Sequence, residues 1–149
     1  CAAKFVPIQA IFGALAAQEC LKAASGLYNP IRQFLLYDCD EVLDSVTSEK
    51  VVPSENVDSG LAYIVGEDTT EALKNRKLFV VGAGAIGCEL LKNLAAMEAG
   101  TGKKGHIVLT DMDTIERSNL SRQFLFRDGD ISKFKSKAAE EAVARLNPL

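Results

Sequence analysis

The stretch Val80-Val-Gly-Ala-Gly-Ala-Ile-Gly-Cys-Glu89 decides how the rest of the chain is read. Leu78 to Val81 is a continuous apolar run, the pattern of a strand buried on both faces of a parallel sheet. Gly82, Gly84 and Gly87 follow as G-x-G-x-x-G. Ile86, Leu90, Leu94 and Met97 then recur at helical spacing, so the segment reads strand, tight turn, helix. A polar, glycine-containing loop from Glu98 to Gly105 leads to a second strand, HIVLTD, ending at Asp111. A helix around Lys135 to Leu146 puts Ala139, Val143 and Leu146 on one face. The expected class is α/β: a Rossmann-like parallel sheet with helices packed on it.

Working outward, Pro7 suits a first helical turn, and Ile8, Ile11, Phe12 and Leu15 predict a helix over about 8 to 24, stopped by Ser25-Gly26. Ile31 to Asp38 (IRQFLLYD) has the aromatic and aliphatic content of a strand. From Asp44 to about Asn56 the chain turns polar, which marks a linker or exposed connection. Gly66 to Glu71 opens a short helix, with Asp68 as its cap and Glu71 reaching back. Two strands do not make a stable open sheet covered on both faces, so the remainder of the C-terminal fold is expected beyond Leu149.

Composition narrows the functions. The 149 residues carry a formal net charge of only −3, with no long run of like charge, so neither nucleic acid nor an anionic membrane is an expected partner. The apolar segment Ile8 to Leu21 is broken by Gln9, Gln18 and Glu19 and does not suit a bilayer span. Four cysteines, Cys1, Cys20, Cys39 and Cys88, form no C-x-x-C pair, and His106 is the single imidazole, so no structural zinc site is expected. A reducing compartment fits these thiols. Cys88 begins the helix after the third glycine, where a lowered pKa is conceivable, yet a free cysteine among apolar neighbours reads as packing. His106 reads as a surface residue at a strand end.

The glycine turn lets backbone approach phosphate closely and aims helix N–H groups at it. Asp111, ending the next strand, stands where a carboxylate holds ribose hydroxyls. A dinucleotide cofactor for redox chemistry would need little more. Here Asn119, Arg122, Arg127, Lys133 and Lys135 follow in quick succession, and such donors suit a triphosphate whose charge builds up during phosphoanhydride cleavage. A solvated basic face is the competing reading of the same residues. Asp113 is either a carboxylate near a Mg²⁺ held mostly by water and phosphate oxygens or a surface acid.

GAGAIGCELLKN together with TDMDTIERSNLSRQFLFR resembles the adenylation domain of ubiquitin-activating enzymes, a family that also includes bacterial adenylating enzymes of molybdopterin and thiamine biosynthesis. The likeness is dense over Lys77 to Pro148. The upstream PIQAIFGALAAQECLKAASGLYNPIRQFLLYD is similar to the end of the inactive adenylation half in single-chain enzymes of ubiquitin type. The resemblance implies residues 1–43 as the close of that inactive half, 44–67 as linker, and 68–149 as the first part of an active ATP-binding domain, incomplete at the C-terminus. It implies ATP and Mg²⁺ as cofactors, ubiquitin and ubiquitin-conjugating enzymes as partners, and a cytoplasmic and nuclear setting. The implied activity is adenylation of the ubiquitin C-terminus, then thioester formation on a cysteine outside this chain. Carried over by position, Gly82, Gly84, Ala85 and Gly87 form the phosphate turn and Asp111 holds the ribose. Asn119, Arg122 and Lys135 grip the phosphates, with Arg122 and Lys135 catalytic, and Asp113 lies near Mg²⁺. Ser121 stands where the family commonly has Asn, and NVDSGLA (Asn56 to Ala62) departs from its usual Arg-Tyr-Asp stretch. The alternatives are an activating enzyme for another ubiquitin-like modifier, or a NAD- or FAD-binding oxidoreductase.

Overall fold

The computed structural model describes residues 5–38 and 59–149 and divides the chain into two compact units, Cys1–Glu67 and Asp68–Leu149. Cys1, Cys39 and the expected linker up to residue 58 lie outside the described residues.

In the first unit, α1 runs Val6–Ser25 with Pro7 in its first turn. Gly26 closes it in the left-handed region at φ 66°, donating its N–H to the Lys22 carbonyl at 3.0 Å. Only glycine takes that conformation without steric cost, which explains the stop. Residues 31–38, expected as a strand, are irregular and exposed instead. A strand is completed by hydrogen bonds to a neighbour, and no strand in this unit offers an edge among the described residues. Other contacts hold the segment: the Ile31 N–H donates to Glu19 Oε2 at 2.9 Å, and Tyr37 meets Phe12 edge to face at 6.1 Å. The unit closes with α2 (Ser59–Val65) and a break at Gly66 (φ 86°), and α3 (Glu67–Lys74), all but its first residue, opens the second unit. Asp68 therefore lies inside the first turn of α3 rather than capping it, where its charge still faces the positive helix end.

The second unit is built on two parallel strands, β1 (Lys77–Val81) and β2 (His106–Thr110), in a register pairing Lys77 with His106 and Val81 with Thr110. Between them runs α4 (Ala85–Ala96), and after them α5 (Lys135–Leu146) packs on both α4 and β2. The core gathers Val80, Ala83, Cys88, Leu91, Ile115, Leu125 and Phe126 against Ala138, Ala139 and Ala142. This is the expected Rossmann-like α/β arrangement.

Two faces differ from expectation. α4 buries Cys88, Leu91 and Ala95, while Ile86 is 85% exposed. Glu89, Lys92 and Asn93 share one side of α4, but the apolar remainder is wider than a single face, so periodicity alone does not choose its inner side. β1 buries Val80, whereas Phe79 and Val81 are 68% and 75% exposed, so within this chain one face of the apolar run is covered. On α5 the expected Ala139 is fully buried, but Leu146 lies outward and Lys135 turns in.

From Met112 to Phe134 the chain makes a closed excursion. Thr114 bridges Phe134, the Ile115 N–H donates to Lys133 O at 2.9 Å, and the Ser132 N–H donates to Ile115 O at 2.8 Å. Short 3₁₀ turns at Arg117–Ser121 and Asp128–Asp130 shape the loop. Its closure returns Lys135 to the end of β2, where the Lys135 N–H donates to the Asp113 carbonyl at 2.9 Å.

Candidate functional site

The glycine turn joins the C-terminal end of β1 to the start of α4. Gly82 holds φ 97°, and its N–H donates to Thr110 O at 2.7 Å, extending the strand pairing by one bond. Gly87 lies directly beneath it: a Cβ there would sit 2.1 Å from the Gly82 carbonyl oxygen. The third glycine thus sets how closely helix and strand pack. Around Gly82 and Gly84 an added Cβ would meet nothing within 4 Å, so the outer side of the turn is open.

The first intrahelical bond of α4 runs from the Cys88 N–H to the Gly84 carbonyl at 2.9 Å, and Gly84, as N-cap, has no side chain to supply a cap. The N–H groups of Ala85, Ile86 and Gly87 precede that bond and have no acceptor in the helix. Together with the helix dipole they suit an anion, and the open space beside Gly82 and Gly84 fits a phosphate.

Asp111 is tied at both oxygens. Oδ2 accepts the Ala83 N–H at 2.6 Å, and Oδ1 accepts the Asp113 N–H at 2.9 Å. A carboxylate offers about four lone-pair positions, so it retains acceptor capacity for ribose hydroxyls. Lys135 is buried to 8% exposure and donates from Nζ to Asp113 Oδ2 at 2.7 Å, while the Asp113 side chain stays 65% exposed. Gly82, Gly84, Ala85, Gly87, Asp111, Asp113 and Lys135 therefore collect at one end of the sheet. Asp113 offers a divalent cation a single carboxylate, which suits Mg²⁺ bound mainly by water and phosphate oxygens. Among the described residues no three metal-ligating side chains stand together.

The remaining donors are engaged locally. Asn119, buried, accepts the Glu116 N–H on Oδ1 at 3.0 Å in a capping box. Arg122 is exposed and donates from Nη1 to the Ser118 carbonyl at 2.9 Å. Arg127 binds the Phe124 and Phe126 carbonyls, and Lys133 pairs with Asp130 at 2.8 Å, which holds the Asp130 carboxyl below its usual range. Arg127 and Lys133 thus brace their own loop. Ser121, the departure from the family pattern, donates to the Ser118 carbonyl at 3.1 Å.

Cys88 is packed as expected: fully buried, its Sγ 3.5 Å from the Ala83 carbonyl, with burial pushing the thiol up despite a hydrogen bond from the Leu125 backbone. His106 lies exposed at the start of β2. Gln123 escaped the sequence reading. It is 3% exposed, and its Oε1 finds no hydrogen-bond partner among the described residues. The available signal was a lone amide inside the apolar run after Arg122.

A family model described as the ThiF family matches residues 57–149, which hold the whole glycine turn, Asp111 and the loop from Met112 to Phe134. The chain belongs to the ThiF family. This ThiF-family chain is 50% identical over 151 aligned residues to the mouse (Mus musculus) protein named ubiquitin-like modifier-activating enzyme 1, covering 99% of the chain and 14% of that protein. It is 44% identical to ubiquitin-activating enzyme E1 1 of Arabidopsis thaliana, covering 95% of the chain and 13% of that protein. The chain thus spans about one seventh of the length of the curated relatives it matches. Among solved structures, E. coli MccB with ATP aligns at a TM-score of 0.54 and 29% identity, covering 65% of the chain and 29% of MccB. E. coli tRNA N6-threonylcarbamoyladenosine dehydratase, TcdA, aligns at 0.55 and 27%, covering 66% of the chain and 40% of TcdA. No helix among the described residues is long and apolar enough to cross a membrane.

Proposed function

We propose that the protein to which this chain belongs activates ubiquitin by ATP-dependent adenylation of its C-terminal carboxylate. The observation that carries the reading is the convergence at the sheet end. The open N-terminus of α4, the Asp111 carboxylate and the Lys135–Asp113 pair, 2.7 Å apart, meet there, in a chain half identical to an enzyme named for activating ubiquitin-like modifiers.

In this reading Asp111 holds the ribose, and the N–H groups at Ala85 to Gly87 line the phosphates. Arg122 and Lys135 offset charge as the ubiquitin carboxylate oxygen attacks the α-phosphorus and the bond to pyrophosphate breaks. Arg122 reaches the phosphates by exchanging its Ser118 carbonyl contact for them, and Asn119 orients the intervening turn. Asp113 would help to hold a Mg²⁺ ion, which when bound would supply further neutralisation of phosphate charge. A cysteine thiolate outside this chain then attacks the acyl-adenylate carbonyl, forming a thioester and releasing AMP, and transthioesterification passes the ubiquitin acyl group to a cysteine of a conjugating enzyme, regenerating the first thiol. Residues 1–43 are the close of an inactive half, 44–67 the linker and 68–149 the opening of the active half, in a cytoplasmic and nuclear enzyme.

The test is ubiquitin-dependent exchange between ATP and labelled pyrophosphate in the intact protein. Exchange is expected with the wild type and is expected to collapse in Arg122→Ala and Lys135→Ala. Exchange unaltered by either substitution refutes the assigned roles, and exchange driven only by another modifier refutes the choice of ubiquitin.

A further inference from the structure

The end of the sheet opposite the glycine turn carries an unbalanced positive charge. Arg76 and Lys77 lead into β1, Lys103 and Lys104 lead towards β2, and all four are exposed. Backbone packing holds the two approaches together. Lys77 pairs in register with His106, and the His106 N–H donates to Arg76 O at 3.2 Å. The Lys104 N–H donates to Asn75 Oδ1 at 3.1 Å, and the Gly102 N–H to Lys74 O at 2.8 Å. A Cβ on Gly105 would lie 2.1 Å from Lys74 O, so this loop is pressed against the end of α3. The cations are therefore presented from a fixed frame.

Of the nearby carboxylates, Glu98 pairs with Lys74 at 2.9 Å, and Glu71, whose Oε1 accepts the neutral Asn75 Nδ2 at 2.6 Å, keeps its charge, one acid against four cations. Among the described residues no carboxylate pairs with Arg76, Lys77, Lys103 or Lys104. A merely solvated edge intersperses both signs. Here four cations crowd one edge of a chain whose formal net charge is −3.

We propose that this basic edge docks an acidic peptide segment of a partner protein. Neighbouring strands lie about 4.8 Å apart, so the two cationic approaches span on the order of 10–15 Å, the reach of three or four extended residues. That footprint matches a short run of Asp and Glu. Single-stranded nucleic acid, the other polyanion, is bound by longer basic grooves with stacking aromatics, and the acidic balance of the chain opposes it. Lysine stems present mobile point charges, so recognition here is by charge density rather than by fixed geometry, and it is sensitive to salt.

The experiment titrates a fluorescein-labelled polyglutamate peptide onto the intact protein by anisotropy, beside a single-stranded oligonucleotide of equal charge. The peptide is expected to bind at low ionic strength, with a Kd that rises as salt is added. Lys103→Glu/Lys104→Glu is expected to weaken binding about tenfold, and Lys103→Gln/Lys104→Gln by less, without moving the melting temperature or pyrophosphate exchange. Absence of peptide binding at low salt, affinity indifferent to both double substitutions, or tighter binding of the oligonucleotide each overturns the proposal. Because Lys103 and Lys104 lie at the far end of the sheet from the nucleotide site, loss of exchange and loss of peptide binding fail independently.

Discussion

Replacing Gly87 by alanine isolates what the third glycine does. The new methyl would sit 2.1 Å from the Gly82 carbonyl oxygen, itself part of the turn, and roughly 1 Å short of the closest distance real Cβ atoms tolerate. Backbone has to move, because no flexible side-chain end is there to give way. Overpacking of this kind costs about 1–3 kcal/mol. On the proposed function the displacement also carries the unbonded N–H groups of α4 away from where phosphates would bind, so the KM for ATP is expected to rise. Gly84→Ala is the control, since its φ of −74° suits any residue and its Cβ would meet nothing within 4 Å. Its cost is confined to the poorer capping of alanine, under about 1 kcal/mol. Differential scanning fluorimetry with ATP-dependent exchange on both variants decides the matter. Equal stability of Gly87→Ala and Gly84→Ala would refute the packing argument.

Three further outcomes follow from described contacts. In the native protein iodoacetamide is expected to alkylate exposed Cys20 and spare Cys88, whose thiol is buried and raised, until denaturant is added; mass spectrometry showing early labelling of Cys88 contradicts its packing role. The Asp130 carboxyl is held low by Lys133, so its stabilising contribution is present above the unfolded carboxyl value, near 3.9, and is lost as pH falls through the lower folded value. Asp130→Asn is thus expected to lower the melting temperature at neutral pH and to make no difference in strong acid, and a deficit that persists in acid tells against the pair. Gln123→Met removes a buried acceptor that has no partner, so stability is expected to hold or to rise by up to about 1–3 kcal/mol; a clear loss in chemical denaturation would reveal a donor that Oε1 uses.

What was legible in the sequence was what local pattern determines. β1, the glycine turn, β2 and the bounds of α5 follow from runs, glycines and periodicity within a few residues. Ile31 to Asp38 did not, because strand-like composition becomes a strand only beside a partner. The helical spacing of Ile86, Leu90, Leu94 and Met97 did not by itself give the inner face of α4: Leu94 packs against the core, but Ile86 and Leu90 are exposed, and Cys88, Leu91 and Ala95 are the residues fully turned in. Spacing alone sufficed to place Gly82, Gly84, Gly87 and Asp111 together at one end of the sheet, the proposed site. The pairing of Lys135 with Asp113 did not, since it depends on a closed loop between them. Arg122, Arg127 and Lys133 looked equivalent as donors, and in the structure all three are held locally, the arginines by backbone carbonyls and Lys133 by Asp130.

Asp111 carries a further consequence for any mutational study of the site. Its two oxygens join residue 83, in the turn after β1, to residue 113, in the loop after β2, so one side chain clasps the mouths of both loops. An alanine there severs the clasp along with the proposed ribose contact, so any affinity lost would overstate what the sugar alone contributes. Comparing ATP with its 2′-deoxy and 3′-deoxy analogues on the unaltered protein separates the two, because the clasp then stays shut while the hydroxyls are removed one at a time.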